Sequence, residues 1–422
     1  MYLLPKPKTI KEQDGQMLLC HSTHIVMTKE VAETEMHAAK RLQEAIRQET
    51  GLILPFSVGE VREGDLSLGI AKTLPEQTYE ITIDEKGGQI SGGDGAGVLY
   101  GVETFCQIVQ QCGGILPCVQ IQDAPDMPNR GYYFDQTRGR VLKLEELKKI
   151  ADRMCRYKLN QLQLYVEHTY LFRDFSEMWR DQTPLTAEEI LELDSYCRER
   201  HIELVPSLAS FGHLCTLLST KTYGDLCEME DSWKEPFSFW NRMRYHTINV
   251  SDERSLPLIK KMIAEYMQLF SSNKFNICAD ETFCLGKYKS KKLAEERGVH
   301  RLYIDYVKEL AQFLVENGKI PMFWGDIIWN SPELMKELPE SMICLNWGYA
   351  PEQREDETRA IAQTGAVQYL CPGVCGWNQW ANLIENSYKN ITRMCGYAAK
   401  YHGIGGGLRL LPPSGASAPD GR

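Results

Sequence analysis

The residues with the clearest chemical potential are Asp280 and Glu281, which end the otherwise apolar run FNICADETF. Ionised carboxylates are costly inside a core, so the pair is expected at a solvent-facing lip, where Glu281 could serve as a general acid. The alternative is a helix-capping Asp followed by a surface Glu. The ends of neighbouring strand-like runs add Asp135, Arg138, Glu167, His168, Ser210 to His213, Trp324, Asp326, Asn346 to Tyr349 and Trp377. Carboxylates and tryptophans dominate that set. Carboxylates move protons at a glycosidic oxygen, and indole faces stack on the C–H surface of a sugar. Trp324, Trp347 and Trp377 would wall such a pocket or pack a rim. Asp326 would hold a sugar hydroxyl or cap a helix. Metal chemistry is disfavoured because no His-x-His occurs, and dinucleotide or nucleotide binding because no GxGxxG or P-loop opens a helix.

These side chains need a scaffold, and the rhythm of the chain from Arg130 onward supplies one. Strand-like runs GYYFDQT, NQLQLYV, IELVPSLA, FNICADE, IPMFWGD, MICLNWG and VQYLCPG alternate with amphipathic helical stretches. The helices span about 143–158, a segment opening at Thr186 with a capping box to Glu189, 256–270, 302–315 and 381–401. That alternation predicts an α/β protein built on a (β/α)8 TIM-type barrel, whose functional groups sit at the C-terminal ends of the strands. Seven βα steps are legible. The sequence after residue 402, GIGGGLRLLPPSGASAPDGR, begins like a strand and turns to Gly, Pro, Ser and Ala. The expectation is therefore a barrel lacking its last βα unit, by truncation or frame shift near Gly405, with an irregular tail over 403–422. Residues 1–128 read as a small α+β domain, with a hairpin around Gly87-Gly88, a helix over 95–111 and a Pro-punctuated exit near 128. The barrel domain is expected over 129–402.

Composition narrows the function classes. The chain has 422 residues, 43% hydrophobic and 25% charged, with a net charge of −10. It forms no long basic run, which argues against a polyanion such as nucleic acid as the partner. No stretch approaches the ~18 apolar residues of a membrane span. MYLLPKPKTI lacks the apolar length of a signal peptide, and the fourteen Cys show no paired zinc-type spacing. Reduced thiols and a cytoplasmic location are the expectation.

The motifs resemble those of glycoside hydrolase family 20, the β-N-acetylhexosaminidases, over about residues 20–402. CADE is similar to the family's His-x-Gly-Gly-Asp-Glu motif, with Asn276 in the His position and Cys278-Ala279 in place of the glycines. RGYYFDQTR resembles the first-strand motif, KLNQLQLYVE the second-strand Lys-x-Asn motif, and LVPSLASFGH the third-strand segment ending in Gly-His. GVLYGVETFCQIV is similar to the helix that ends the family's non-catalytic N-terminal domain. SFGH and ADE…LG look closest to the hexosaminidase D-like branch.

The resemblance implies substrate-assisted catalysis, in which the 2-acetamido oxygen of the sugar attacks and no enzyme carboxylate does. Glu281 would protonate the leaving oxygen and then activate water, while Asp280 would orient the acetamido N–H. Arg130 would bind hydroxyls of the terminal sugar. Tyr369 would reach the acetamido oxygen or simply pack within its strand. His213 would polarise a carboxylate or satisfy a loop backbone. The implied enzyme is exo-acting and retaining, removes terminal GlcNAc or GalNAc from an amino-sugar glycan, and needs no metal or cofactor. Two rivals stand beside it: a carbohydrate-binding or inactive remnant, motivated by the missing βα unit, and a glycosidase for sugars without the acetamido group.

Overall fold

The computed structural model of the chain describes residues 1–374, 376, 380–401, 403 and 405–410. Two compact units are present. The first comprises Met1–Pro128 with the segments Lys148–Asn160 and Tyr196–Ile202; the second comprises Asn129–Leu147, Gln161–Ser195 and the chain from Glu203 onward.

In the first unit, β1 (Thr9–Leu18), β2 (Ile25–Met27), β3 (Phe56–Val58), β4 (Leu66–Ile70), β5 (Tyr79–Asp84), β6 (Gly87–Gly92) and β7 (Ile115–Asp123) form one sheet in the order β1-β7-β5-β6-β4-β2-β3. Alternation sets its inner face: Tyr79, Ile81 and Ile83 are buried along β5. The β5–β6 hairpin turns at Glu85-Lys86, with Asp84 opposite Gly87. Gly87 is required there, because its φ is +155° and a Cβ would lie 2.7 Å from the Asp65 carbonyl oxygen. Helix Gly95–Cys112 is buried from Ala96 to Val109 and begins at Asp94, whose side chain accepts the Gly97 N–H at 2.8 Å. A helix this apolar all round belongs inside.

The second unit is a closed barrel of eight parallel strands. They are β8 (Asn129–Asp135), β9 (Gln161–Val166), β10 (Glu203–Leu208), β11 (Lys274–Asn276), β12 (Ile320–Trp324), β13 (Ile343–Gly348), β14 (Val367–Pro372) and β15 (Gly405–Leu410). Strands buried on both sides are nearly continuous apolar runs, which is why seven of them are legible in sequence. The expectation of a missing closing strand is corrected. β15 pairs with β14 through Gly405 and Gly406, and with β8 from Gly405 to Leu410. Glycine-rich sequence has weak strand propensity, but neighbours on both edges supply the backbone hydrogen bonds that hold an extended segment in place. The ring is closed, so the strand of the unit whose absence motivated an inactive remnant is present. No helix after β15 lies among the described residues.

Helix Ala187–Arg198 starts with the expected capping box: Thr186 N–H donates to Glu189 Oε2 at 2.9 Å and Glu189 N–H to Thr186 Oγ1 at 3.2 Å. Helix Ser255–Met267 buries Ile259, Met262, Ile263 and Tyr266, and helix Val299–Glu316 buries Tyr303, Tyr306, Val307, Leu310 and Leu314. Inside the barrel, the Tyr133 ring packs edge-on against Trp324 at 4.9 Å and tilted against Tyr165 at 6.1 Å. Among the described residues no helix is long and apolar enough to cross a membrane.

Candidate active site

The expected strand FNICADE is strand only as far as Asn276. Beyond it the backbone turns through three non-glycine residues with positive φ: Cys278 at 58°, Ala279 at 62° and Glu281 at 49°. Each such residue costs on the order of 1–2 kcal/mol, so the surroundings must hold the turn. They do so atom by atom. Asn276 Oδ1 accepts the Cys278 N–H at 2.8 Å, and Asn276 Nδ2 is itself fixed by donating to Gln163 Oε1 at 3.1 Å. Ser210 Oγ donates to the Ile277 carbonyl at 2.6 Å, and Tyr303 OH to the Ala279 carbonyl at 3.0 Å. The Trp324 N–H donates to the Cys278 carbonyl at 2.9 Å. Gly212 approaches so closely that a Cβ would stand 2.6 Å from the Asp280 carbonyl oxygen.

The turn sets Asp280 inward and Glu281 outward: the Asp280 side chain is 2% exposed and that of Glu281 26%. His213, itself at φ 61°, places Nε2 3.2 Å from Glu281 Oε2 and 3.6 Å from Asp280 Oδ2. Burial alone would lower its pKa, but the charge and hydrogen bonding of Asp280 and Glu281 raise it to about 10. His213 is therefore an imidazolium at neutral pH, shared between two carboxylates. Asp326 Oδ2 accepts the Glu281 N–H at 3.0 Å. Burial, with the Asp280 charge added, holds the Asp326 carboxyl well above the usual carboxylate range. The arrangement leaves Glu281 accessible to substrate, backed by the buried Asp280.

A second charged group lies at the ends of β8 and β9. Arg138 Nε donates to Asp135 Oδ2 at 2.6 Å, its guanidinium lies 4.7 Å from the Tyr165 ring centre, and Glu167 Oε1 stands 3.8 Å away. Glu167 accepts from Arg242 at 2.9 Å and from Tyr165 OH at 3.0 Å. Burial would raise its pKa, yet Arg242 and Arg138 hold it at about 2. His168 Nδ1 is 3.2 Å from Thr216 Oγ1, and burial lowers its pKa. Arg242 belongs to the short helix Phe239–Arg244 between β10 and β11, whose Met243 sulfur receives Arg138 at 3.2 Å. No local signal in the sequence marks Arg242, because its partner Glu167 is 75 residues away.

Asp280, Glu281, His213 and Asp326 are thus brought together. Trp324 is 1% exposed and lines the barrel interior, and Trp347 is half-buried and stacks on Tyr349 with ring centres 5.0 Å apart. Trp377 lies outside the described residues. Two expectations are corrected. Arg130 is the second residue of β8, about 16 Å along the strand from the end that bears Asp135. The arginine at the functional end is Arg138. Tyr369 is buried beside Gln161 and Glu203, the first residues of β9 and β10, and therefore faces the opposite end of the barrel.

A closed parallel barrel that gathers carboxylates, a histidine and aromatic rings at the C-terminal strand ends is the arrangement of the glycoside hydrolase barrels. The model of the "Glycosyl hydrolase family 20, catalytic domain" matches residues 128–401, and that of "Glycosyl hydrolase family 20, domain 2" matches residues 1–124. The chain belongs to glycoside hydrolase family 20. It is 24% identical over 411 residues to a β-hexosaminidase of Porphyromonas gingivalis, a match covering 89% of this chain and 50% of the relative. A β-hexosaminidase of Vibrio furnissii is 26% identical, with 66% of this chain and 48% of the relative covered. The chain thus spans about half the length of these curated relatives. Among solved structures, the family 20 β-N-acetylhexosaminidase of Streptomyces coelicolor A3(2) superposes with a TM-score of 0.77 at 19% identity, covering 96% of this chain and 85% of that one. A mutant Streptomyces plicatus β-hexosaminidase in complex with product, GlcNAc, gives 0.78 at 19% identity, with 96% and 84% covered.

Proposed function

We propose that the chain is an exo-acting, retaining β-N-acetylhexosaminidase that removes terminal GlcNAc or GalNAc from an amino-sugar glycan by substrate-assisted catalysis. One observation carries the reading: a turn of left-handed residues presents an accessible Glu281 beside a buried Asp280, with His213 touching both. Family membership, and the GlcNAc bound to the S. plicatus relative, support it.

In the first step the acetamido oxygen of the substrate attacks C1 as the C1–O bond to the leaving group breaks, and Glu281 delivers its proton to that oxygen. Positive charge develops on the resulting oxazolinium ring. Asp280, paired with His213, faces the acetamido N–H and stabilises that charge without moving, which is the preorganised electrostatics that contributes most to many catalysed reactions. In the second step Glu281 takes a proton from water as the water attacks C1 and the C1–O bond of the oxazolinium ring breaks, which restores the acetamido group. Arg138, with its charge balanced by Asp135, supplies guanidinium donors to sugar hydroxyls.

The test is a comparison of nitrophenyl β-GlcNAc, β-GalNAc and β-glucoside. Cleavage of either amino sugar but not of the glucoside is expected; hydrolysis of the glucoside alone removes the substrate-assisted scheme. Glu281→Gln should slow a disaccharide, whose leaving group needs the proton, by about 10²–10⁴-fold while altering binding little. Unchanged turnover would overturn the role of Glu281.

A further inference from the structure

Beyond the acid pair, the rim on the outer side of Glu281 carries aromatic surface that the reaction at the terminal sugar does not use. Phe283 follows Glu281 by two residues, with its N–H donating to the Glu281 carbonyl at 2.8 Å, and it is 40% exposed. Facing it is Arg244, whose guanidinium lies 6.0 Å from the Phe283 ring centre and 4.6 Å from that of Trp240, an indole 36% exposed. The Cys284 thiol donates to the Arg244 carbonyl at 2.9 Å, which ties the two loops together. The same short helix turns Arg242 inward to Glu167 and Met243 to Arg138, so Trp240 and Arg244 are held by a helix that is itself anchored in the charged floor.

We propose that Trp240, Arg244 and Phe283 form the platform for the leaving-group sugar, and thereby set a preference for glycosides whose aglycone is a pyranose. This rests on the hydrolase reading above. The argument is positional and chemical. A general acid protonates the oxygen that departs with the aglycone, so the aglycone lies against whatever borders the outward side of that acid. Here Phe283 stands two residues past that acid, and the Arg244 guanidinium joins its ring to the Trp240 indole. Aromatic faces take the C–H face of a pyranose, and stacking of the guanidinium fixes the indole's orientation while leaving N–H donors for ring hydroxyls.

The experiment measures kcat/KM for a GlcNAc-β-linked disaccharide and for β-N-acetylglucosaminyl fluoride, whose leaving group has no ring to stack. Trp240→Ala and Phe283→Ala should each lower the ratio of disaccharide to fluoride kcat/KM by about tenfold, and Trp240→Phe should recover most of it. Thermal unfolding of each variant checks that the fold is kept. A ratio unchanged in both alanine variants overturns the platform. A wild-type chain that cleaves neither substrate overturns the hydrolase reading, and the platform falls with it.

Discussion

The backbone N–H of Glu281 donates to Oδ2 of Asp326 across 3.0 Å, so the turn that follows β12 fixes where the acid stands. Asp326→Ala deletes that acceptor. Leaving an amide without its partner costs roughly 1–3 kcal/mol, and if that cost falls on the transition state kcat drops by about 10- to 100-fold with a smaller change in KM. Asp326→Asn keeps an acceptor oxygen and should retain most of the activity. Burial and Asp280 raise the folded-state pKa of Asp326 above its unfolded value, so ionising it costs stability as pH climbs above about 4. Urea midpoints of the Asn variant should accordingly exceed those of the parent, by a margin that widens toward pH 7.

His213 works in the other direction. Its folded-state pKa of about 10 exceeds the ordinary value of 6.5, so its ion pairs contribute fully below pH 6.5 and are lost as pH rises through 10. Urea unfolding at pH 6, 8 and 10 should show stability falling over that window. His213→Asn, which cannot take the proton, should flatten the difference between the curves. Parallel curves for parent and variant would refute the assignment.

The left-handed turn makes a prediction about size at position 279. Ala279→Gly relieves a strain of about 1–2 kcal/mol and gives back roughly 0.5–1 kcal/mol of chain entropy, so stability is kept or slightly raised. Ala279→Val puts a β-branched residue into the same conformation inside the buried turn and should cost about 2 kcal/mol or more. Equilibrium unfolding in urea reads both.

Arg138 and Arg130 separate by function. Arg138→Ala leaves the fully buried Asp135 with backbone N–H donors but no cation, a loss of about 3–5 kcal/mol, and should raise KM for a GlcNAc glycoside in whatever folded protein remains. Arg138→Lys keeps the charge but loses the planar fork, so a raised KM with better retained stability is expected. Arg130→Ala, at the opposite end of β8, should leave KM unchanged. A raised KM there would restore Arg130 to the site.

The barrel was legible where burial on both faces writes a continuous apolar run, as in QLQLYV or MICLNWG. It was illegible at Gly405–Leu410, where pairing from both neighbours overrides composition. Asp280 and Glu281 stood out because two acids directly after an apolar strand must reach solvent or find partners, and a barrel strand end offers both. The turn that aims them did not, since Cys278 and Ala279 give no hint of positive φ and the bonds that enforce it come from Asn276, Ser210, Tyr303 and Trp324. Arg130 and Arg138 flank one apolar run, and composition treats them alike. Only the rise per residue along β8 puts Arg138 at the functional end. Tyr369 fails for the related reason that alternation tells inside from outside but not which end of the barrel a hydroxyl faces.

The helix carrying Arg242 and Met243 also bears on how the protein comes off the ribosome. Glu167 meets Arg242 75 positions later, and Arg138 meets Met243 105 positions later. A nascent chain extending only to β10 already holds an acidic residue destined for the interior, but not the second cation that neutralises it. Synthesis must run well past the third barrel strand before this part of the molecule can settle, and contacts so distant along the chain are slow to close. A pause between β10 and the helix Phe239–Arg244 therefore exposes an unfinished electrostatic centre to the cell's quality control.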